Sequence, residues 1–141
     1  MKSQKEIWEA FMEGIPEAEK ILRKHLAEET EQSLQMTFMR VCEKEVLKKL
    51  NLTPEETEKI ISTKAERIYE VQSHGFKNIT MEICRALATN SGSFYELIVE
   101  QLLGKQVSYK EFKPLIKYQD ELYFGLLREL RREETRLHKL N

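Results

Sequence analysis

The chain contains few residues that interrupt helices and few that bind metals or form disulfides. Its 141 residues include three prolines, five glycines, three histidines and two cysteines. Its apolar runs are a few residues long, far short of the roughly 20 needed to span a bilayer. The N-terminus MKSQKEIWEAF lacks the apolar core of a signal peptide. We therefore expect a cytoplasmic protein that does not enter the membrane.

Sites of catalysis and metal binding are equally scarce in the sequence. His25, His74 and His138 are scattered, without the spacing of a metal site. There is no Gly-rich phosphate loop, nucleophile elbow or paired-carboxylate signature. These observations predict a protein that is not an enzyme, with no catalytic residue, cofactor or metal ligand.

The cysteines and the net charge indicate the redox compartment of the protein and the kind of partner it binds. Cys42 and Cys84 lie among apolar neighbours at helical spacing, and no signal peptide points to an oxidising compartment. We expect two buried, reduced thiols and no disulfide. The formal net charge of −1 argues against a generic binder of polyanions.

What the sequence does contain is helical periodicity. No period-2 strand pattern, internal repeat or low-complexity linker interrupts it. We predict an all-α fold: residues 1–141 form a single domain, a bundle of five to seven helices around one core.

The first half of the chain contains two predicted helices. Glu6–Met12 is a short first helix ended by Gly14, and Pro16 suits the first turn of the next. That second helix could run over Glu17–Lys49. Its polar stretch Glu28–Ser33 is either an exposed middle or a break, and the lack of Gly and Pro favours continuity.

A capping signal marks the third helix. Thr53 is the predicted N-cap, Pro54 the first helical residue and Glu56 the partner in a capping box. Gly75 is predicted to end this helix, and Ile79–Leu87 to form the next.

The remaining helices are separated by small polar residues and glycine. Ala88–Ser93 is predicted to be a break, with Ser93 and Glu96 capping a helix over Phe94–Leu103 that Gly104 ends. Ser108–Lys113 is predicted to be a turn.

The last helix is predicted to be long, over residues 114–138, starting at Pro114. Its predicted apolar face consists of Leu115, Tyr118, Leu122, Tyr123, Leu126, Leu127 and Leu130. Leucines at its end need apolar cover that a second copy could supply. We expect a homodimer with Leu130, Leu137 and Leu140 at the interface.

The stretch GFKNITMEICRALATNSGSFYEL over 75–97 carries the most specific pattern. It is a helix, a small polar break and a second helix, which is the skeleton of a helix-turn-helix. Ile83, Cys84 and Leu87 would face inward, with Ala88 at the turn.

Gly75-Phe76, Thr80-Met81-Glu82 and the run Ile83–Tyr95 with its Ser-Gly-Ser-Phe-Tyr ending resemble the DNA-binding domain of the TetR family of repressors. The resemblance covers roughly 23 residues, 75–97, and the helix-turn-helix-like segment is predicted over 78–103. It implies a dimeric, sequence-specific DNA binder. The implied nucleic-acid contacts are Thr80, Ser91, Ser93 and Tyr95, with Lys77 and Arg85 as the cations of the segment.

A second interpretation of this segment is two ordinary core helices joined by a tight turn. The second helix carries Glu96 and Glu100 and no Lys or Arg, whereas phosphate and guanine contacts depend on those cations. A positive, exposed surface around Ser91–Tyr95 would favour DNA binding, and a buried or acidic one would remove it.

Three further patterns in the sequence are less specific. Arg67 and His74 are spaced loosely like the Arg-to-His motif of HEPN ribonucleases, which implies acid–base chemistry on a phosphate. Phe38 and His74 are separated similarly to the conserved Phe and haem-ligating His of truncated haemoglobins, which implies a globin-like sensor. The end RELRREETRLHKL has five Lys/Arg and three Glu over residues 128–141. It is either a basic arm that binds nucleic acid or an acidic protein, or simply a solvated helix end.

The function that best fits these patterns is a non-enzymatic cytoplasmic regulatory or interaction protein that acts through a helical surface. The alternative is a helix-turn-helix transcriptional regulator. The weaker candidates are the globin-like sensor and the HEPN-like ribonuclease.

Overall fold

The computed structural model describes residues 2–73 and 91–140, and every regular element among them is helical. Five α-helices pack together: α1 (Gln4–Lys24), α2 (Glu31–Leu50), α3 (Pro54–Ser73), α4 (Ser91–Leu103) and α5 (Tyr109–Leu140). A 3₁₀ turn, Leu26–Glu28, connects α1 to α2. The predicted all-α fold class is confirmed. The predicted helix end at Gly75 and the helix Ile79–Leu87 lie outside the described residues.

The prediction that Gly14 ends the first helix is wrong, because α1 continues through both Gly14 and Pro16. Its start is fixed by a capping box in which Ser3 Oγ accepts from the Glu6 N–H at 3.1 Å. Gly14 is buried where α2 crosses α1, and a Cβ there would lie 2.9 Å from Val46 Cγ2. The glycine thus permits close approach of two helices and does not end one.

The predicted continuity through Glu28–Ser33 is also wrong. α1 ends at Lys24, and α2 begins after Thr30. Thr30 Oγ1 accepts from the Ser33 N–H at 3.1 Å, and Ser33 Oγ accepts from the Thr30 N–H at 2.9 Å. This reciprocal cap satisfies N–H groups at the start of a new helix, so no glycine or proline is needed for the break.

The predicted start of α3 is confirmed. Thr53 Oγ1 accepts from the Glu56 N–H at 3.1 Å, and Glu56 Oε1 accepts from the Thr53 N–H at 3.0 Å. Pro54 is the first residue of the helix, as predicted.

The capping signal at Ser93 does not start α4. The helix begins at Ser91, so Ser93 and Glu96 lie inside it. Residues 88–90 of the predicted break lie outside the described residues. At the other end α4 stops at Leu103, and Gly104 follows with φ of +62°, as its predicted role requires.

The predicted turn at Ser108–Lys113 is replaced by the first turns of α5, which begins at Tyr109 and contains Pro114. Glu111 Oε1 accepts from the Ser108 N–H at 3.4 Å, a capping contact that starts the helix five residues before the proline.

One apolar cluster holds the described helices together. α1 and α2 have the most extensive packing against each other, and α5 lies against α1, α2 and α4. The predicted apolar face of α5 is confirmed: Leu115, Leu126 and Leu130 are buried, and the other four side chains are partly buried against the cluster. This packing decides which face of α5 meets solvent.

Candidate interaction surface on the last helix

The positive charges of α5 are segregated onto one side of the helix. At 3.6 residues per turn, all eight of its Lys and Arg residues fall within a sector of about 140°. We call this sector the outer face; its cations are Lys110, Lys113, Lys117, Arg128, Arg131, Arg132, Arg136 and Lys139, all exposed. Of the six acidic residues of α5, Glu121 falls inside the same sector.

Burial of the opposite side fixes the rotation of α5. Leu115, Leu126 and Leu130 lie in the apolar cluster, and Gln119 is buried between them. Gln119 Oε1 accepts from the Ser91 N–H, the first of α4, at 3.1 Å, and its amide nitrogen contacts Met39 Sδ. A hydrogen-bonded buried amide is costly to move, so the outer face is held toward solvent.

The far end of α5 extends beyond the bundle. Leu130 is its last buried residue, and residues 131–139 are all exposed, a length of about 13 Å. A shallow groove of about 400 Å³ runs along this end. It is lined by Arg131, Arg132, Thr135, Arg136 and Lys139.

Two ion pairs attach this part of α5 to other helices, and a third lies within α5. Arg23 Nε donates to Glu129 Oε2 at 2.9 Å, and Arg131 pairs with Glu31 of α2. Hydrogen bonding to Glu31, followed by its charge, raises the pKa of Arg131 above its usual value. Arg136 Nη2 lies 3.0 Å from Glu133 within α5 itself.

The other three cations of this end are not engaged within the bundle. Arg128, Arg132 and Lys139 form no ion pair with any residue of ranges 2–73 and 91–140. Phe124, 51% exposed, lies in the same sector. The outer face therefore combines uncompensated positive charge with one exposed aromatic ring.

The predicted dimer interface needs correction. Leu130 is only 2% exposed and packs inside its own bundle, so it is not available to a second copy. Leu137 is 50% exposed and lies on the continuation of the core-facing stripe. The side chain of Leu140 is outside the described part of the chain.

Two of the predicted DNA contacts are buried, so the prediction that they face a groove is wrong. Ser91 and Tyr95 are each 2% exposed. The Tyr95 ring packs edge-on against Trp8 and Phe11 at 5.4 and 5.5 Å, and its hydroxyl accepts from Gln4 Nε2 at 3.1 Å. This burial raises the pKa of Tyr95 above 10. Sequence spacing could not reveal that α1 covers this part of α4.

The other residues predicted to contact DNA, or to act in a ribonuclease or a globin, do not form one site among the described residues. Ser93 is half-buried, and Lys77, Thr80 and Arg85 lie outside the described residues. Arg67 Nη2 is 2.7 Å from Glu100 Oε2 of α4, while its proposed partner His74 is not described. Phe38 is a core residue.

Cys42 is a free, buried cysteine, as predicted, and Cys84 lies outside the described residues. Burial raises the pKa of the Cys42 thiol, chiefly by desolvating the thiolate. None of the described helices combines the length and apolar content needed to cross a membrane. In the described ranges no three His, Cys, Asp or Glu residues are grouped to hold a metal ion.

The binding residues predicted from the sequence do not include Lys110, Lys113 and Lys117, although their spacing of three and four residues is that of one helix face. Predicting the helix start at Pro114 separated two of them from the rest of the helix.

Comparison of this chain with protein-family models, with curated proteins and with solved structures finds no match.

Proposed function

We propose that this chain is a regulatory interaction protein that binds a negatively charged partner through the outer face of α5. The observation that carries the proposal is the placement of all eight cations of α5 on the exposed side of a helix whose other side is buried. The proposal assigns no catalytic step to the protein.

The arrangement costs the helix stability, which supports a role in binding. Neighbouring like charges three or four residues apart destabilise a helix by about 0.2–0.5 kcal/mol each. Lys113 and Lys117 form such a pair, and Arg128, Arg132 and Arg136 form two more. A face needed only for solubility is better served by mixed charges, which attract each other at the same spacing.

A net charge of −1 does not oppose the proposal, because binding depends on the local field. Charges farther away than the Debye length, about 8 Å at physiological salt, are largely screened. The far end of α5 extends past the bundle, so most acidic groups of the chain are distant from a partner held there.

Two triple variants test this proposal. The outer-face variant, Arg128→Glu with Arg132→Glu and Lys139→Glu, reverses the three cations at the far end of α5 that make no ion pair with a described residue. The control variant makes the same change in net charge at exposed lysines of α1 and α3, by Lys5→Glu, Lys20→Glu and Lys59→Glu. Circular dichroism establishes that both variants remain helical.

Binding to soluble polyanions is then measured at low salt, using poly-L-glutamate, heparin and duplex DNA as probes. We expect wild type to bind at least one of them, the outer-face variant at least tenfold more weakly, and the control variant within about twofold of wild type. Failure of wild type to bind any probe contradicts the proposal, as does equal weakening in the two variants.

We also propose that two copies associate through the far end of α5. Leu137 continues the stripe of Leu126 and Leu130 but is half exposed. Glu133 and Arg136, which pair with each other, lie on one side of Leu137 and carry opposite charges that a second copy can pair. Light scattering should give twice the 16.8 kDa of the chain, and Leu137→Glu should restore the single-chain mass. A wild-type monomer at high micromolar concentration refutes this association.

The helix-turn-helix alternative has less support. Ser91 and Tyr95 are buried, and Glu96 and Glu100 lie on the helix that would read bases. If the segment nevertheless reads DNA, replacing Ser93 by alanine should reduce retention of the protein on genomic DNA at low salt, with the outer face intact.

A further inference from the structure

We infer that the partner of the outer face is double-stranded DNA, bound through its phosphates without reading of base sequence. The inference rests on the proposed function and deepens it, because it names one class of anion. It does not involve the segment that resembles a helix-turn-helix.

The far half of α5 carries about as many charges per length of its axis as one strand of DNA does. Five cations lie between Arg128 and Lys139, over a helix length of about 16 Å. One strand of B-DNA carries a phosphate about every 3.4 Å along the axis, hence about five over the same length. Because the strand winds around the duplex axis, a straight helix stays close to some of these phosphates, and the long arginine and lysine side chains reach them from successive turns of α5.

The side-chain chemistry of this row suits phosphate. Four of the five cations are arginines, whose planar guanidinium groups donate two parallel hydrogen bonds to a phosphate. No ion pair with a described residue has to be broken before phosphate binds to Arg128, Arg132 or Lys139. Arg131 and Arg136 must exchange Glu31 and Glu133 for phosphate, so we expect three to five contacts.

The acidic residues of α5 indicate how the helix lies on DNA. Glu129, Glu133 and Glu134 fall outside the outer face, on the flanks and the inward side. Inside a major groove, phosphates run along both flanks of a helix and would repel these carboxylates. When α5 lies along the phosphates of one strand, its outer face between Arg128 and Lys139 presents only cations, because Glu121 lies outside that stretch. This arrangement predicts binding that is independent of sequence.

The outer face fits other polyanions less well. Single strands are held by several aromatic side chains on which bases stack, and among the large exposed apolar residues of α5 only Phe124 lies on this face. A helix that inserts into a bilayer surface needs a broad apolar face, which this sector lacks. Acidic proteins carry carboxylates on flexible side chains and do not offer a row of fixed spacing.

Fluorescence anisotropy with a labelled 30-base-pair duplex tests the inference. Between 50 and 200 mM salt, we expect log K to fall against log[salt] with a slope of about −2.7 to −4.5, as three to five phosphate contacts require. The outer-face variant should bind at least tenfold more weakly at 50 mM with a flatter slope. The control variant should remain within about twofold of wild type, and two unrelated duplex sequences should bind equally.

Parallel titrations separate this inference from the function on which it rests. Binding to poly-L-glutamate or heparin that depends on the outer face, with none to duplex DNA, overturns the inference and leaves the proposed function. Tighter binding to single-stranded DNA or duplex RNA overturns the choice of duplex DNA. A tenfold preference between duplex sequences overturns backbone-only binding, and absence of binding to every probe overturns both proposals.

Discussion

The paired helices α1 and α2 and the neighbouring helix α3 have nearly equal lengths of 21, 20 and 20 residues, but they are held in different ways. α1 and α2 bury continuous apolar rows against each other and against α4. Among residues 54–67 of α3, Ile60 is the buried side chain. Two ion pairs also join this part of α3 to its neighbours: Lys64 pairs with Glu43, and Arg67 with Glu100.

The comparison shows that helix length does not measure how firmly a helix is held. A fully buried large apolar side chain contributes about 1.5–3 kcal/mol, whereas an exposed ion pair contributes roughly 0–1 kcal/mol. Residues 54–67 of α3 are therefore expected to open locally at a lower free energy than the α1–α2 pair. The following predictions test this difference, beginning with the largest effect.

Phe11→Ala should destabilise the protein most. Phe11 is fully buried in α1, with ring centroids 5.9 Å from Phe94 and 5.5 Å from Tyr95. Removing the ring leaves a cavity between α1 and α4, and such changes cost about 3–5 kcal/mol. Urea unfolding followed by circular dichroism measures the loss. The adjacent Met12, which is partly exposed, provides the control: Met12→Ala should cost less than about 1 kcal/mol. Similar losses for the two variants would contradict the assignment of the core.

Gly14→Ala tests the close approach of α1 and α2. The added Cβ would lie 2.9 Å from Val46 Cγ2 and 3.0 Å from Val46 N, so the two helices must move apart. We expect a net loss of about 1–2 kcal/mol in the free energy of unfolding, because the cost of overpacking exceeds the gain in helix propensity.

Gly125→Ala is the matched control for this prediction. Gly125 lies inside α5, and the nearest atom to its added Cβ is Arg128 Nη2 at 3.9 Å. This variant should be more stable than wild type by about 1 kcal/mol, which is the gain in helix propensity alone. Stabilisation by both alanines would show that Gly14 does not set the distance between α1 and α2.

Gly14 also illustrates which parts of the fold can be predicted from sequence. Local signals worked where the partner groups are close in the chain: the capping box of Thr53 and Glu56 and the stop at Gly104 are as predicted. The role of Gly14 depends on Val46, 32 positions away, and no local pattern contains that information. The break before α2 uses a Thr30–Ser33 cap, a weaker signal than the Ser/Thr-to-Glu pattern.

The candidate surface was only partly visible in the sequence for a similar reason. The apolar face of α5 and its basic end followed from helical spacing, so the outward direction of the cations was predictable. Burial of Leu130 by the chain's own bundle, and of Tyr95 by Trp8 and Phe11, depends on tertiary contacts. Because of those contacts, Leu130 is not available to a second copy and Tyr95 is not available to DNA.

Arg67→Ala tests the polar attachment of α3. Its side chain and that of Glu100 are both partly exposed, so the global free energy of unfolding should fall by only about 0.2–1 kcal/mol. Amide hydrogen exchange in α3 should nevertheless accelerate, while exchange in α1 and α2 stays unchanged. Lys59→Ala, at an exposed residue of the same helix, is the control and should leave both rates unaltered. Faster exchange in all three helices would mean that α3 unfolds together with the core.

The smallest expected effect is the pH dependence produced by Glu43, where α2 and α3 are linked. Burial raises the pKa of this carboxyl above its usual value of 4.5, although the Lys64 ion pair and the charge of Arg40 act to lower it. Between the usual and the raised pKa, the folded protein binds more protons than the unfolded chain, so this contribution to stability is lost as pH increases. Glu43→Gln lacks the titrating group. The free energy of unfolding of wild type minus that of Glu43→Gln should therefore decrease from pH 4 to pH 7, as measured by urea titrations at each pH.

Lys64→Met removes the main group that lowers the pKa of Glu43. In this variant the stability contributed by protonated Glu43 should therefore be lost at a higher pH than in wild type. A difference between wild type and Glu43→Gln that stays constant over this range would show that desolvation of Glu43 is not the dominant cost of joining α3 to α2.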